Sequence, residues 1–260
     1  MPRPPLVLAA LLAMSQATHA EMRVIGDDDR SLADSRAVPW TSIGRLNRAG
    51  RAFCTGVLIA PDRVLTAAHC LYDVAQGRWA PASAIHFLAG YSQGDYADVA
   101  VATGYAVAEG YDRAHAQEMA TMWRDWAVVT LDHTLTTPPT PIWPLAFEDA
   151  AALALDGGVL LQAGYSEDRP HVLTVHEDCG LVGVAGEVPL LLHECDAIEG
   201  DSGSPLLLRQ DGRYGIIGLH IARTDSEGFE LGVAVPSAAF AGPIGALLGD
   251  GVIGAPAARP

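Results

Sequence analysis

The sequence predicts an all-β protein with a helix near its C-terminal end. Its apolar residues fall in short runs of strand length, such as TSIGRL at residues 41–46 and DWAVVTL at residues 125–131. Gly, Pro and Asp bound these runs at the intervals typical of β-sandwiches and β-barrels. Few segments show the 3.6-residue period of a helix, and the clearest is PSAAFAGPIGALLG at residues 236–249.

The first twenty residues have the layout of a secretory signal peptide. One Arg precedes an apolar run from Leu6 to Met14, and the small residues Thr18 and Ala20 precede the expected cleavage point. The run is too short to span a bilayer. We therefore expect a secreted protein, extracellular or periplasmic, whose fold begins after residue 20.

Composition and charge exclude several classes of protein and partner. Half of the 260 residues are apolar and 18% are charged, so the chain can bury a large core and is not generally disordered. Acidic residues outnumber basic residues by 31 to 16, and the formal net charge is −15. Nucleic acids and anionic membranes bind patches of Lys and Arg. We therefore expect neither as a partner.

Strand-length runs continue on both sides of a proline-rich segment, Leu135 to Leu145. Its prolines prevent regular strand pairing, so we expect a crossover between two β subdomains there. EDAAALAL at residues 148–155 is compatible with a turn of helix. The last ten residues, 251–260, have nothing to pack against and are predicted to be a disordered tail.

The number of cysteines predicts two disulfides, because an exported protein folds in an oxidising environment. The four residues are Cys54, Cys70, Cys179 and Cys195. They allow three pairings, and the sequence alone does not choose among them. The spacing of His171, His176 and Cys179 fits no standard metal site, so we predict no bound metal.

Two motifs can together supply nucleophilic catalysis. In GDSGSP, Gly200 and Gly203 allow a tight turn around Ser202, so that its hydroxyl projects while backbone N–H groups converge. A serine hydroxyl needs a base to remove its proton, and His is the usual base. The candidate base is His69 in VLTAAHC, although a lone His at such a position is more often structural.

A base of this kind needs a carboxylate that fixes its tautomer and stabilises the imidazolium. Asp125 is the best candidate, because it lies between two tryptophans and leads into an apolar run, where a buried Asp needs a partner. Three other residues compete for the role. Asp98 and Asp132 could terminate strands, and Asp112 lies in a polar stretch where it would be solvated.

The motifs LTAAHC, DWAVVTL and GDSGSP, in the order His, Asp, Ser, resemble those of the trypsin-like serine proteases of chymotrypsin fold. CDAIEGDSGSP is similar to the CDT…GxSGSP of a secreted bacterial branch that includes the glutamyl endopeptidases. The resemblance covers nearly the whole mature chain, residues 24–250. It implies two six-stranded antiparallel β-barrels packed together with a C-terminal helix. His69 and Asp125 would then belong to the first barrel and Ser202 to the second.

The resemblance also implies an oxyanion hole formed by the backbone N–H groups of Gly200 and Ser202. It favours a disulfide that brackets the His loop, Cys54–Cys70, which leaves Cys179–Cys195 as the second. Both pairings follow from the family likeness and not from the spacing of the cysteines.

Asp201 has a structural interpretation as a turn residue and a second one from the resemblance. In trypsin-like zymogens the matching Asp pairs with a newly formed N-terminal amine and so orders the oxyanion hole. Cleavage after Arg23 would free Val24 at the start of VIGDD. The pro-segment would then be only residues 21–23.

The expected substrate pocket includes Asp196, Ala197 and His220. Asp196 falls where trypsin-like enzymes bind a basic side chain, yet the glutamyl branch carries an Asp there without that specificity. His220 matches a His of the glutamyl branch, whereas Ala197 replaces its Thr. Glu199 adds negative charge that disfavours acidic side chains. The preference therefore stays open between basic and small or apolar residues.

These observations predict a secreted serine endopeptidase that acts on proteins or peptides as a monomer and without a cofactor. Ser202 would attack the peptide carbonyl and form an acyl-enzyme, with His69 as the base. The alternative is a catalytically silent homologue that uses the same fold as a binding module.

Overall fold

The N-terminal half of the chain forms a closed barrel and the C-terminal half an open sheet. The computed structural model describes residues 24–48, 52–116, 118–185, 190–226 and 229–256. In chain order its strands are β1 (Ser31–Leu32), β2 (Ile43–Arg48), β3 (Ala52–Ala60), β4 (Arg63–Thr66), β5 (Tyr72–Asp73), β6 (Arg78–Trp79), β7 (Ile85–Ala89), β8 (Asp98–Val107), β9 (Ala127–Leu131), β10 (Val159–Gly164), β11 (Thr174–Glu177), β12 (Leu181–Ala185), β13 (Leu190–His193), β14 (Pro205–Gln210), β15 (Arg213–Ser226) and β16 (Phe229–Pro236). Its α-helices are α1 (Phe147–Leu155) and α2 (Ser237–Leu248).

The barrel closes in the strand order β2-β3-β4-β9-β8-β7, with every pair antiparallel. Gly44 of β2 pairs with Gly56 of β3, and the buried ring of Phe87 fills the space beside them. A Cβ atom on Gly44 would lie 2.4 Å from Cε2 of Phe87, so any larger residue would collide with this ring. The two glycines therefore allow one aromatic side chain to fill the barrel interior.

The second sheet has eight strands in the order β1-β11-β10-β14-β15-β16-β13-β12. The predicted second six-stranded barrel is not confirmed, because this sheet is not closed within the described residues. Its edge strands are β1, which has only two residues, and β12. The mostly β architecture and the C-terminal helix agree with the prediction.

The proline-rich segment leads from the barrel to α1 and the second sheet. Along it, the Thr140 N–H donates to the Leu58 carbonyl and the Ile142 N–H to the Val252 carbonyl. Val252 is buried, and the Gly254 N–H donates back to the Ile142 carbonyl. Residues 251–256 are thus packed, unlike the disordered tail expected from the sequence, because this crossover supplies their partners.

Several expectations fall outside the described residues. These are the signal peptide at residues 1–20, the pro-segment at residues 21–23 and the last part of the tail at residues 257–260. Among the helices that the structure does describe, none has the length and hydropathy needed to cross a membrane.

One hydrophobic core joins the two halves of the chain. Its buried members include Ile43 and Leu65 from the barrel and Leu207 and Phe240 from the second half. The ring centroids of Trp126 and Phe240 lie 6.2 Å apart, so α2 packs against the start of β9. This shared core fixes the barrel relative to the sheet, and the candidate site lies where they meet.

Candidate active site

Asp125 holds His69 by two contacts. Its Oδ2 atom lies 2.7 Å from Nδ1 of His69, and its Oδ1 atom accepts the His69 backbone N–H at 2.9 Å. Asp125 is 4% exposed and directly follows a one-turn 3-10 helix at residues 122–124, just before β9. The carboxylate therefore orients both the ring and the backbone of His69, and it leaves the Nε2 atom free for proton transfer.

The His69 turn follows β4 and is tied to β3 by a disulfide. His69 lies in a 3-10 turn at Ala68–Leu71, and Cys70 in that turn is bonded to Cys54 of β3. The other disulfide joins Cys179 to Cys195. Both pairings are those implied by the family resemblance.

Ser202 lies against β3 and the His69 turn. Its carbonyl accepts the Thr55 N–H at 2.9 Å, and Thr55 directly follows Cys54. The next residue, Gly203, has a φ of +82°, and a Cβ atom there would lie 2.3 Å from the Thr55 carbonyl oxygen and 3.0 Å from the Ala67 nitrogen. Only glycine fits this close approach. The fold thus brings the serine motif to the His motif.

The turn before Ser202 presents two free backbone donors. Gly200 has a φ of +95°, and its carbonyl accepts the Thr55 hydroxyl at 3.1 Å. The N–H groups of Gly200 and Ser202 donate to no acceptor among the described residues. These two unpaired N–H groups, on either side of Asp201, are suited to stabilising a developing oxyanion.

The comparison with known families agrees with this arrangement. The family model described as a trypsin-like peptidase domain matches residues 54–219, which is more than half of the chain. The chain belongs to the trypsin-like peptidase family. The matched range contains His69, Asp125 and Ser202, the three residues that the sequence motifs singled out.

Individual relatives of this trypsin-like peptidase resemble different parts of it. A glutamyl endopeptidase of Bacillus licheniformis is 36% identical over 67 residues, which are 25% of this chain and 21% of that relative. A trypsin of Phaedon cochleariae is 25% identical over 225 residues, or 74% of this chain and 76% of that one. A solved structure of Glu endopeptidase in complex with MPD superposes with a TM-score of 0.67 and 25% identity, covering 86% of this chain and 99% of that chain.

The buried carboxylate of Asp201 stabilises the Ser202 loop by hydrogen bonds. Its Oδ2 atom accepts the Ile198 N–H at 2.9 Å and the Ser166 hydroxyl at 2.7 Å. Its carbonyl accepts the Ser204 N–H at 2.8 Å. Asp201 is thus held by this loop and by Ser166, and the pairing with a freed Val24 amine stays a prediction.

Asp196 is engaged with the N-terminal segment. Its Oδ2 atom accepts the Asp29 N–H at 2.8 Å and lies 3.2 Å from Nδ1 of His176 on β11. Its neighbour Ala197 is fully buried. The proposed part of both residues in the substrate pocket stays a prediction.

His220, the third residue of the predicted pocket, lies on β15 and forms a buried pair with His193 of β13. Nδ1 of His220 and Nε2 of His193 are 3.1 Å apart. The His220 carbonyl accepts the Gly203 N–H at 2.8 Å, so this strand also supports the turn that contains Ser202. His193 was not predicted from the sequence. The only indication of it in the sequence is a polar residue directly after three leucines in LLLHEC.

We expect the buried histidines to make the unfolding free energy decrease as the pH falls from 7 to 5. Burial lowers the pKa of His193 to about 3, and burial also lowers the pKa of His220 well below its ordinary value. In the unfolded chain both titrate at about 6.5. Between these values the unfolded chain binds protons that the folded chain does not, so acid favours unfolding.

Asp201 acts in the opposite direction, because burial raises its pKa from 3.8 to about 6 and the folded chain holds a proton in that window. The unfolded chain then binds a net excess of one proton near pH 5, which corresponds to roughly 1 kcal/mol of unfolding free energy per pH unit. Urea denaturation at pH 7, 6 and 5 measures this slope. His193→Gln should flatten it, and an unchanged slope in this variant would contradict the assignment.

Proposed function

We propose that this trypsin-like peptidase is a secreted serine endopeptidase with Ser202 as nucleophile and His69 as base. The observation that carries the proposal is the double contact of Asp125 with His69, next to the loop that holds Ser202. In the proposed reaction, His69 takes the Ser202 proton as the hydroxyl attacks the peptide carbonyl. The same base then activates the water that hydrolyses the acyl-enzyme.

The proposed oxyanion hole consists of the Gly200 and Ser202 N–H groups. Their lack of other acceptors among the described residues supports this role. Removing one such donor costs about 2.7–4 kcal/mol of transition-state stabilisation in comparable enzymes. Asp201 supports the hole indirectly, because its contacts with Ile198 and Ser166 hold the turn.

Export is part of the proposal. Two disulfides are formed, which is typical of proteins that fold in oxidising compartments. Protein or peptide substrates follow from the family, and the names of the relatives include both an endopeptidase and a trypsin.

Labelling with a fluorophosphonate probe tests the proposed function. We expect the folded protein to be labelled and Ser202→Ala to lose the label. Ser204→Ala is the matched control, since Ser204 is a buried serine of the same loop whose hydroxyl donates to the Asp201 carbonyl. It should keep the label. Failure to label folded, processed protein would favour the silent binding module.

A further inference from the structure

Asp29, His176 and Asp196 converge outside the proposed triad. One ligand atom from each residue lies within 4.8 Å of those of the other two. Asp29 belongs to the segment before β1, His176 lies on β11, and Asp196 directly follows Cys195. The fold therefore gathers one imidazole and two carboxylates from distant parts of the sequence.

The Asp196 carboxylate is the least satisfied member of the cluster. The residue is 3% exposed, and its Oδ1 atom has no hydrogen-bond partner among the described residues. A buried carboxylate oxygen without a partner is unfavourable unless a cation or donor reaches it. The other oxygen of the same carboxylate contacts the Asp29 N–H and His176, so the unpartnered atom belongs to a side chain of the cluster.

The Asp196 backbone N–H and the Asp196 carboxylate make opposing demands on Nδ1 of His176. Its Nδ1 atom lies 3.0 Å from the Asp196 backbone N–H and 3.2 Å from Oδ2 of Asp196. A bare Nδ1 accepts the N–H but repels the carboxylate, whereas a proton or an ion on its single lone pair suits the carboxylate and displaces the N–H. The 3.2 Å spacing is close to the ~3.3 Å expected between two ligands with bonds of about 2.0–2.1 Å at a tetrahedral centre.

The surroundings also favour a cation. Asp29 and His176 line a cavity of about 1020 Å³, and no arginine lines it in the part of the chain that the structure describes. Its acidic lining residues are Asp27, Asp29, Asp178, Glu194, Asp225 and Glu230. The imidazole discriminates between ions, because calcium and magnesium prefer oxygen ligands while imidazole suits zinc and related transition metals.

We propose that Asp29, His176 and Asp196 bind one divalent transition-metal ion of the zinc class. The ion ties the N-terminal segment to the residues that lead into the Ser202 loop. The site differs from the sequence-based expectation of no metal because neither aspartate is near His176 in sequence. It goes beyond the proposed peptidase function and does not depend on it.

Zinc binding to the EDTA-treated, dialysed protein tests the proposal. Titration calorimetry with ZnCl₂ should show one saturable site per chain, and zinc should raise the midpoint temperature of unfolding. Asp29→Asn and His176→Gln should each weaken zinc binding by at least ~10-fold and remove the temperature shift. Both substitutions lie at the cavity wall and spare the fully buried Asp196 side chain.

His115→Gln is the matched control, because His115 and Asp112 form an exposed pair with 2.8 Å between Nδ1 and Oδ2. This variant should bind zinc as the parent protein does. The proposal is overturned by the absence of a saturable zinc site, by unchanged zinc affinity in both cluster variants, or by calcium competing equally at the same concentration. None of these readouts requires peptidase activity.

Discussion

Asp125→Asn is expected to lower kcat by about 10⁴-fold, the loss seen when the triad carboxylate of a related protease is changed to an amide. Oδ1 of Asp125 accepts the His69 backbone N–H, so the amide oxygen of Asn will keep that position. The amide NH₂ then faces Nδ1 and forces it to accept. The ring proton moves to Nε2, which can no longer take the proton of Ser202.

Turnover of a fluorogenic peptide amide, selected from a library with the parent protein, measures this loss. Asp112→Asn is the control, since Asp112 also contacts a histidine but the pair is exposed. It should retain parental kcat, as should Asp98→Asn. Full activity in Asp125→Asn, or an equal loss in Asp112→Asn, would remove Asp125 from the proposed triad.

The second large effect is expected on removal of the Cys54–Cys70 disulfide by changing both residues to alanine. The bridge spans 16 residues, for which loop-closure entropy predicts a loss of about 3 kcal/mol in unfolding free energy. Cys70 neighbours His69, and Cys54 neighbours Thr55, whose N–H holds the Ser202 carbonyl. Without the bridge, His69 and the Thr55–Ser202 hydrogen bond are held less firmly. This should also lower kcat by about 10²-fold, the cost of a small misplacement of reacting groups.

The Cys179–Cys195 disulfide provides a matched comparison, because its separation is also 16 residues. Its removal should cost a similar amount of stability but a much smaller part of kcat. Urea denaturation and peptide turnover measure the two quantities separately. If both double variants lose kcat equally, the first bridge has no special role in positioning His69.

The residues of the proposed triad could be predicted from the sequence, because each lies in a short motif with its own physical signature. Gly200 and Gly203 marked the tight turn around Ser202, and their positive φ angles bear this out. The tryptophans beside Asp125 indicated burial, and the residue is indeed 4% exposed. In each case local sequence and local structure agree.

Features that depend on contacts between residues far apart in the chain could not be predicted from the sequence. Closure of the second sheet depends on which strands meet at its edges, and the strand runs alone do not determine this. The contact of Asp29 with Asp196 joins residues that are 167 positions apart. His193 acquires its partner only when β13 and β15 are placed on either side of β16.

The Thr55–Ser202 hydrogen bond has a consequence for biosynthesis. One half of the chain carries His69, the proposed base, and the other half carries Ser202, the proposed nucleophile, whose carbonyl accepts the Thr55 N–H of the first half. Under the proposed function, peptidase activity therefore requires that both halves have folded and packed against each other. If the chain is exported as proposed, a polypeptide still in transit is expected to be inactive, because the site is divided between the two halves.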